Sequence, residues 1–338
     1  MRAFTGIGAP PRNHHRVRIL VTGASGFVGS ELAARLAPDG HRLRALGRDA
    51  PRLREALELT MGSRAEDVEL AIGDAVGGSG LREALEGIDV AYYLIHSMER
   101  VPRGTPGFEV RELWAARNFA RAAVEEGVGR IVYLGGLVPR WEPSGRGARA
   151  VSRHLASREQ VEHVLMSAVP DSVALRASIV IGARSRSFRL LVRLVERMPV
   201  LTLPAWQKYS TQPIDERDVI EMLAACARAG VSGRTLEVGG PEVLTYREML
   251  RRIAELMIVG RPSLGLGVNL TGFTSRVAAA IAGEDPELVS ALMAGLQGDL
   301  IPREDHAAEL LEVRMHSFDS AVEHALRQWE RHEPLAAR

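Results

Sequence analysis

Along the first half of the chain, short apolar runs alternate with stretches whose apolar residues recur at helical spacing. Val17 to Thr22 is β-branched and apolar and gives way at once to a glycine-rich turn. Ser30 to Ala37 then carries a helical period. The same rhythm predicts strands over His41 to Leu46, Val68 to Ile72, Val90 to Ile95, Arg130 to Leu134 and Ser172 to Arg176, with amphipathic helices over Glu109 to Glu126 and about Val151 to Ser167. The apolar runs within Val90 to Ile95 and Arg130 to Leu134 suit strands buried on both faces. Repeated βα units of this kind predict an α/β fold, a doubly wound parallel sheet of the Rossmann type.

After Gly182 the rhythm changes. A helix is expected from Phe188 to Arg197, then a proline-rich stretch from Met198 to Pro213, a helix from Glu216 to Arg228, a strand at Thr235 to Val238, and a helix opened by the capping-box spacing Thr245 to Glu248. The stretch from Arg261 to Arg303 is punctuated by Gly and Pro and takes no clear assignment. The expected organisation is a lead-in over residues 1–16, a Rossmann domain over 17–182, and a smaller substrate lobe over 183–330 interleaved with the Rossmann core.

With 338 residues, 46% of them hydrophobic, the chain has enough apolar material for such a domain and an appended lobe. Its 43 basic residues stand against 42 acidic ones. A net charge of +1 leaves no long-range field to draw it to nucleic acid or to an anionic membrane, so a small molecule is the expected partner. The single cysteine, Cys226, rules out a disulfide framework, and no His or Cys set has metal-ligand spacing, so no metal is expected. Neither a signal-peptide core nor a membrane-length apolar run is present; a cytoplasmic monomer or homodimer is the expectation.

The chemistry is read from Thr22-Gly23-Ala24-Ser25-Gly26-Phe27-Val28-Gly29. Glycines at this spacing between a strand and a helix let the backbone approach a pyrophosphate, whose charge then meets the free N–H groups of the helix. A tight βα turn would need glycines too, but three further positions agree with the dinucleotide reading. Arg48 falls 19 residues after Gly29, at the end of the second strand, where an acidic residue would take a ribose 2′-hydroxyl and an arginine a 2′-phosphate. It favours NADP(H) over NAD(H), although with a single lysine among the basic residues a plain surface arginine is the competing reading. Asp74, beside Ala75 after the third strand, can accept from an adenine amine or serve as a cap. His96-Ser97 and Gly135-Gly136 close the fourth and fifth strands, where ligands of open α/β sheets collect. Ser25, Gly26, Phe27, Val28, Leu94, His96 and Gly135 complete the expected cofactor contacts.

These residues in this order resemble the short-chain dehydrogenase/reductase superfamily, and in detail its atypical branch of NmrA-like and YbjT-like NAD(P)-binding proteins. The resemblance covers about residues 17 to 325. It rests on TGASGFVG, on YYLIHSM from Tyr92 to Met98, on SRHLASREQVE from Ser152, on LRASIVIG from Leu175 and on QPIDERDV from Gln212.

In that superfamily the usual proton-transfer pair is Tyr-x-x-x-Lys, and this chain departs from it. Its only lysine is Lys208, and none of its five tyrosines has a lysine four residues later. On the matching helix stand His154 and Arg158, on one face by their spacing. His154 can replace the tyrosine as proton donor, with Arg158 holding it neutral, or the two can merely contact cofactor. His96 is the further candidate for catalysis or nicotinamide contact. The superfamily's serine or threonine after the fifth strand is here Gly135-Gly136. Tyr93, Met98, Leu137, Trp206 and Gln212 are the expected substrate contacts, with a helix-rich segment from Leu201 to Gln212 covering the nicotinamide. What the resemblance implies is an NADP(H)-dependent reductase of a carbonyl, imine or activated alkene. The missing pair leaves a non-catalytic redox sensor, or a redox-neutral isomerase or cyclase with bound cofactor, as alternatives.

Overall fold

The computed structural model describes residues 17–96, 106–138, 153–228 and 230–265 and most of 289–335. The lead-in 1–16, Ser97 and Met98, most of the unassigned stretch 261–303, and the side chain of His154 lie outside the described residues.

Strands β1 (Arg18–Thr22), β2 (Arg42–Gly47), β3 (Glu69–Ile72), β4 (Val90–Tyr93), β5 (Arg130–Gly136) and β6 (Val173–Ala177) join a seventh strand, Arg234–Val238, in one parallel sheet. In space the order is β3, β2, β1, β4, β5, β6 and Arg234–Val238, so the direction of winding reverses between β1 and β4. Register aligns Thr22 with Leu46, Tyr93 with Tyr133, and Gly136 with Ala177, which brings the carboxyl ends of the strands to one edge. Reversal of winding at that edge opens a crevice there.

Alternation of side chains divides each strand between two layers. Ile19, Val21, Tyr92, Val132 and Leu175 pack with helices α1 (Phe27–Leu36), α2 (Ala50–Met61) and α7 (Glu216–Ala225). Leu20, Ala91, Tyr93, Ile131 and Ala174 pack with α3 (Leu81–Leu85), α4 (Phe108–Glu125) and α5 (Arg153–Ala168). Tyr92 shows how a buried phenol is accommodated: its hydroxyl donates to the Leu223 carbonyl at 2.9 Å.

A separate core unites α6 (Arg186–Arg197), α8 (Tyr246–Leu256) and the C-terminal helix Phe318–Glu330 around Phe188, Leu250 and Trp329. The capping box at Thr245 starts α8 as the sequence predicts; the Ser185 cap of α6 and the helix Phe318–Glu330 are additions from the structure. Ser185 accepts from Phe188 N at 3.5 Å, and Thr245 and Glu248 form the complete capping box. Two elements of the 183–330 stretch return to the sheet: α7 packs on α1, and Arg234–Val238 pairs with β6.

The segment from Leu201 to Gln212 is not helix-rich, which corrects the expectation. It forms a short strand Leu201–Leu203 beside Ser263–Gly265, one 3-10 turn over Ala205–Lys208, and Ser210–Thr211 antiparallel to Leu244–Thr245. Leu201-Thr202-Leu203 alternates buried and exposed, the period of a strand, and prolines 204 and 213 confine the intervening turn. No helix among the described residues is long and apolar enough to cross a membrane.

Candidate active site

At the end of β1, Thr22 Oγ1 accepts from Leu94 N at 2.9 Å and ties the two central strands together where the winding reverses. The chain then turns through Gly23 at φ +63°, and Gly26 N donates to Gly23 O at 2.8 Å. A Cβ on Gly23 would stand 2.8 Å from Leu94 O, and one on Gly29 2.5 Å from Gly23 O. Only glycine fits both places, so strand, turn and helix close up more tightly than side chains would permit. α1 therefore starts directly above the sheet edge. Its cap residue is Gly26, no side chain bonds its first turn, and that turn holds no acidic residue. First-turn N–H groups have no acceptor within a helix, so this end presents donors and a positive dipole to whatever lies in front of it.

In front of it lies a cleft of about 670 Å³, whose walls include Gly23 to Gly29. That size is ordinary for a small-molecule or cofactor site. On the β2 and β3 side the lining includes Arg48, Arg52, Asp74 and Ala75. Asp49 accepts from Arg52 N at 2.8 Å and so starts α2, which holds Arg52 at the mouth beside Arg48. The Arg52 guanidinium makes no hydrogen bond or ion pair with a described residue. Asp74 accepts from Val76 N at 3.1 Å and Gly77 N at 2.9 Å, so its carboxylate shapes its own loop instead of capping a helix.

On the other side of the α1 turn the lining includes Leu94, His96, Gly135, Leu137 and Arg158. Arg158 is buried in α5. It bonds the Leu134 carbonyl, lies 5.1 Å above the Tyr133 ring, and stands 3.2 Å from Nδ1 of His96. Behind His96, Glu112 of α4 is 3.7 Å from the same Nδ1 through Oε1 and accepts from the Ser157 hydroxyl at 2.8 Å through Oε2. Burial raises the Glu112 carboxyl, but His96, Arg158 and Ser157 together outweigh it and hold its pKa down to about 2. For His96, loss of water around the ring and then the Arg158 charge push the pKa below the ordinary histidine range, with Glu112 partly opposing them. The ring is nonetheless 47% exposed, and its open part faces the cleft. The contact with Arg158 is thus the firmer cause, and it favours the neutral imidazole.

Three of the expected substrate contacts are placed elsewhere. Tyr93 points away from the cleft into the α4 layer, edge to face with Phe119 at 5.1 Å. Trp206 packs against Tyr246 at 5.7 Å inside the lobe core. Gln212 is buried and donates through Nε2 to Gly240 O at 2.6 Å. His154 stands in the first turn of α5, one turn before Arg158. Glu112, Arg52 and Arg111 carry no sequence signal of a site, and Arg184 and Arg186, which the sequence reads as a short basic pair on a solvated face, line the cleft. Glu112 and Arg111 sit in an ordinary amphipathic helix, where only the tertiary fold shows that they face the site.

Comparisons with known proteins agree with this architecture. The model of a family described as NmrA-like matches residues 15–247. The chain is 28% identical over 294 residues to a (4-alkanoyl-5-oxo-2,5-dihydrofuran-3-yl)methyl phosphate reductase of Streptomyces griseus subsp. griseus, covering 84% of this chain and 90% of that one. It is 28% identical over 240 residues to a ceramide reductase of Caulobacter vibrioides, covering 71% and 70%. In structure it is similar to a UDP-glucuronic acid 4-epimerase variant of Bacillus cereus, solved with a fluorinated UDP-glucuronic acid and NAD, at a TM-score of 0.68 and 17% identity over 93% of this chain and 99% of that one.

Proposed function

Because the chain belongs to the NmrA-like family, we propose that it is an oxidoreductase of the short-chain dehydrogenase/reductase kind, using NADP(H) in preference to NAD(H) to reduce a carbonyl, imine or activated alkene of a small organic substrate. Two of the curated relatives, described above, are named reductases, and the epimerase neighbour was solved with NAD.

The residues present fit a dinucleotide. Gly23 and Gly29 let the turn close tightly against β4 and against itself, which sets the start of α1 at the cleft edge, and the uncapped α1 supplies the donors for a pyrophosphate. Arg48 and Arg52 would hold the 2′-phosphate that distinguishes NADPH. Asp74 spends two of its acceptor positions on its own loop and keeps others for an adenine amine. When bound, the nicotinamide supplies the hydride equivalent.

The chain's own part in the reaction is to position and to hold a proton. Nδ1 of His96 faces the Arg158 guanidinium at 3.2 Å, which can only donate, and the Glu112 carboxylate at 3.7 Å, which can only accept; the nearer guanidinium favours the tautomer with its hydrogen on Nε2. His96 is therefore an N–H donor toward an acceptor oxygen or nitrogen in the cleft, in place of the absent tyrosine. His154 is the second candidate for that proton, with Arg158 positioning either ring. The observation that carries this reading is that one cleft joins the open N-terminus of α1 to His96 held on Arg158.

Incubation of the protein with NADPH and a panel of ketones, imines and enones tests it. Acceptor-dependent loss of NADPH absorbance is expected. Tight nucleotide binding without turnover on any acceptor would instead favour a redox sensor, the reading that the missing Tyr-x-x-x-Lys pair supports.

A further inference from the structure

The chain as a whole is balanced between acids and bases, but the cleft is not. Among the described residues its lining includes Arg48, Arg52, Arg111, Arg158, Arg184 and Arg186 against one acidic residue, Asp74. A concentration of one sign in a concave, partly dehydrated site selects what enters it.

Part of this charge is matched by what has been assigned already. Arg48 and Arg52 stand at the Asp74 end, where the 2′-phosphate is placed above. Arg184 donates to Ser30 Oγ at 3.3 Å and partly offsets the rise that burial imposes on the Glu31 carboxyl, so its charge is engaged at α1. Three guanidiniums remain at the His96 end, where a nicotinamide brings no negative charge. Glu112 offsets one of them. Arg158 is occupied with His96 and the Leu134 carbonyl. Arg111 is buried in the wall next to Glu112. Arg186 is exposed, its charge reaches His96, and its guanidinium makes no hydrogen bond or ion pair with a described residue. It is also the first residue of α6, whose first turn contains no acidic residue and whose Ser185 and Ser187 face the same space.

We infer that the substrate carries an anionic group, a carboxylate or a phosphate monoester, received by Arg186 at the start of α6 beside His96. This rests on the reading of the cleft as an NADP(H) site. Guanidinium suits such groups because its planar fork can bond two oxygens at once. Its placement next to His96 would fix the acceptor atom of the substrate relative to the proton.

Calorimetric titration of the NADPH-saturated protein tests this with benzoate, phenyl phosphate and benzyl alcohol as probes. Saturation first closes the nucleotide's own anion sites. At least one of the two anions is expected to bind about tenfold or more tighter than the alcohol, as one charge-assisted contact implies. Which anion does so distinguishes carboxylate from phosphate recognition. Arg186→Gln should remove most of that preference while NADPH affinity stays within about twofold, and Arg186→Lys should restore part of it. Equal binding of anion and alcohol, binding of neither class, or an anion preference unchanged in Arg186→Gln would each overturn the inference while leaving the cofactor reading intact. Failure of NADPH to bind in the saturation step would overturn the cofactor reading, and this one with it.

Discussion

Nη1 of Arg158 stands 3.2 Å from Nδ1 of His96, a contact between a helix of one layer and the loop after the central strand. One geometry sets two properties of the imidazole. The guanidinium favours the tautomer with its hydrogen on Nε2, and the adjacent positive charge disfavours the protonated form.

Arg158→Leu should raise the pKa of His96, because the charge that disfavours the imidazolium is gone while Glu112 remains. Glu112→Gln should shift it further down, since it removes the group that opposes the shift. Histidine titration followed by NMR reads both directions, and the acid limb of any pH–rate profile should move with them. A midpoint that does not move in Arg158→Leu would detach Arg158 from the electrostatics of the site.

The glycines of the turn differ in what they tolerate. Gly29→Ala places a Cβ 2.5 Å from Gly23 O, a backbone atom that cannot step aside, and should cost about 1–3 kcal/mol of stability together with nucleotide binding. Gly26→Ala meets the same oxygen at 3.1 Å and should be milder. Chemical denaturation of the two variants should rank them in that order.

Glu216 supplies a pH signature unrelated to the proposed chemistry. Burial, with the charges of Glu31 and Asp215, pushes its pKa up to about 8, against the weaker pull of Arg217 and Arg184, and His324 lies 3.7 Å away. The folded state thus keeps a proton that the unfolded state loses above about 4.5, so this group's contribution to stability falls as pH rises from about 4.5 to 8. Glu216→Gln should flatten that dependence and stabilise the protein at pH 9 by on the order of 1–3 kcal/mol. Urea unfolding across pH 5 to 9 checks it. A variant less stable than the parent at pH 9 would show that the ionised carboxylate is tolerated.

At the other end of the cleft, Arg48→Asp and Arg52→Ala should each weaken NADPH by about tenfold or more and NADH by less than about threefold. A uniform loss for both nucleotides would place these arginines away from the 2′-phosphate.

Much of the fold can be read from local signals. Runs such as Val90 to Tyr93, apolar on both faces, can only be covered strands, and Gly23, Gly26 and Gly29 mark the turn at the sheet edge. What escapes is the direction in which a side chain points once the layers have formed. Tyr93 and Tyr92 are neighbours in one strand yet enter opposite layers. Trp206 was expected to cover the cleft because aromatics suit planar ligands, but it fills the lobe core. Glu112 and Arg186 come from helices whose local pattern is ordinary, and their approach to His96 depends on contacts between residues far apart in the chain.

The central claim is that the α1 turn holds a nicotinamide dinucleotide, with a preference for the 2′-phosphate. Calorimetric titration of the purified protein with NADPH and with NADH tests it most directly. NADPH should bind with one-to-one stoichiometry and about tenfold or more tighter than NADH. Binding of neither nucleotide would contradict the account at its root.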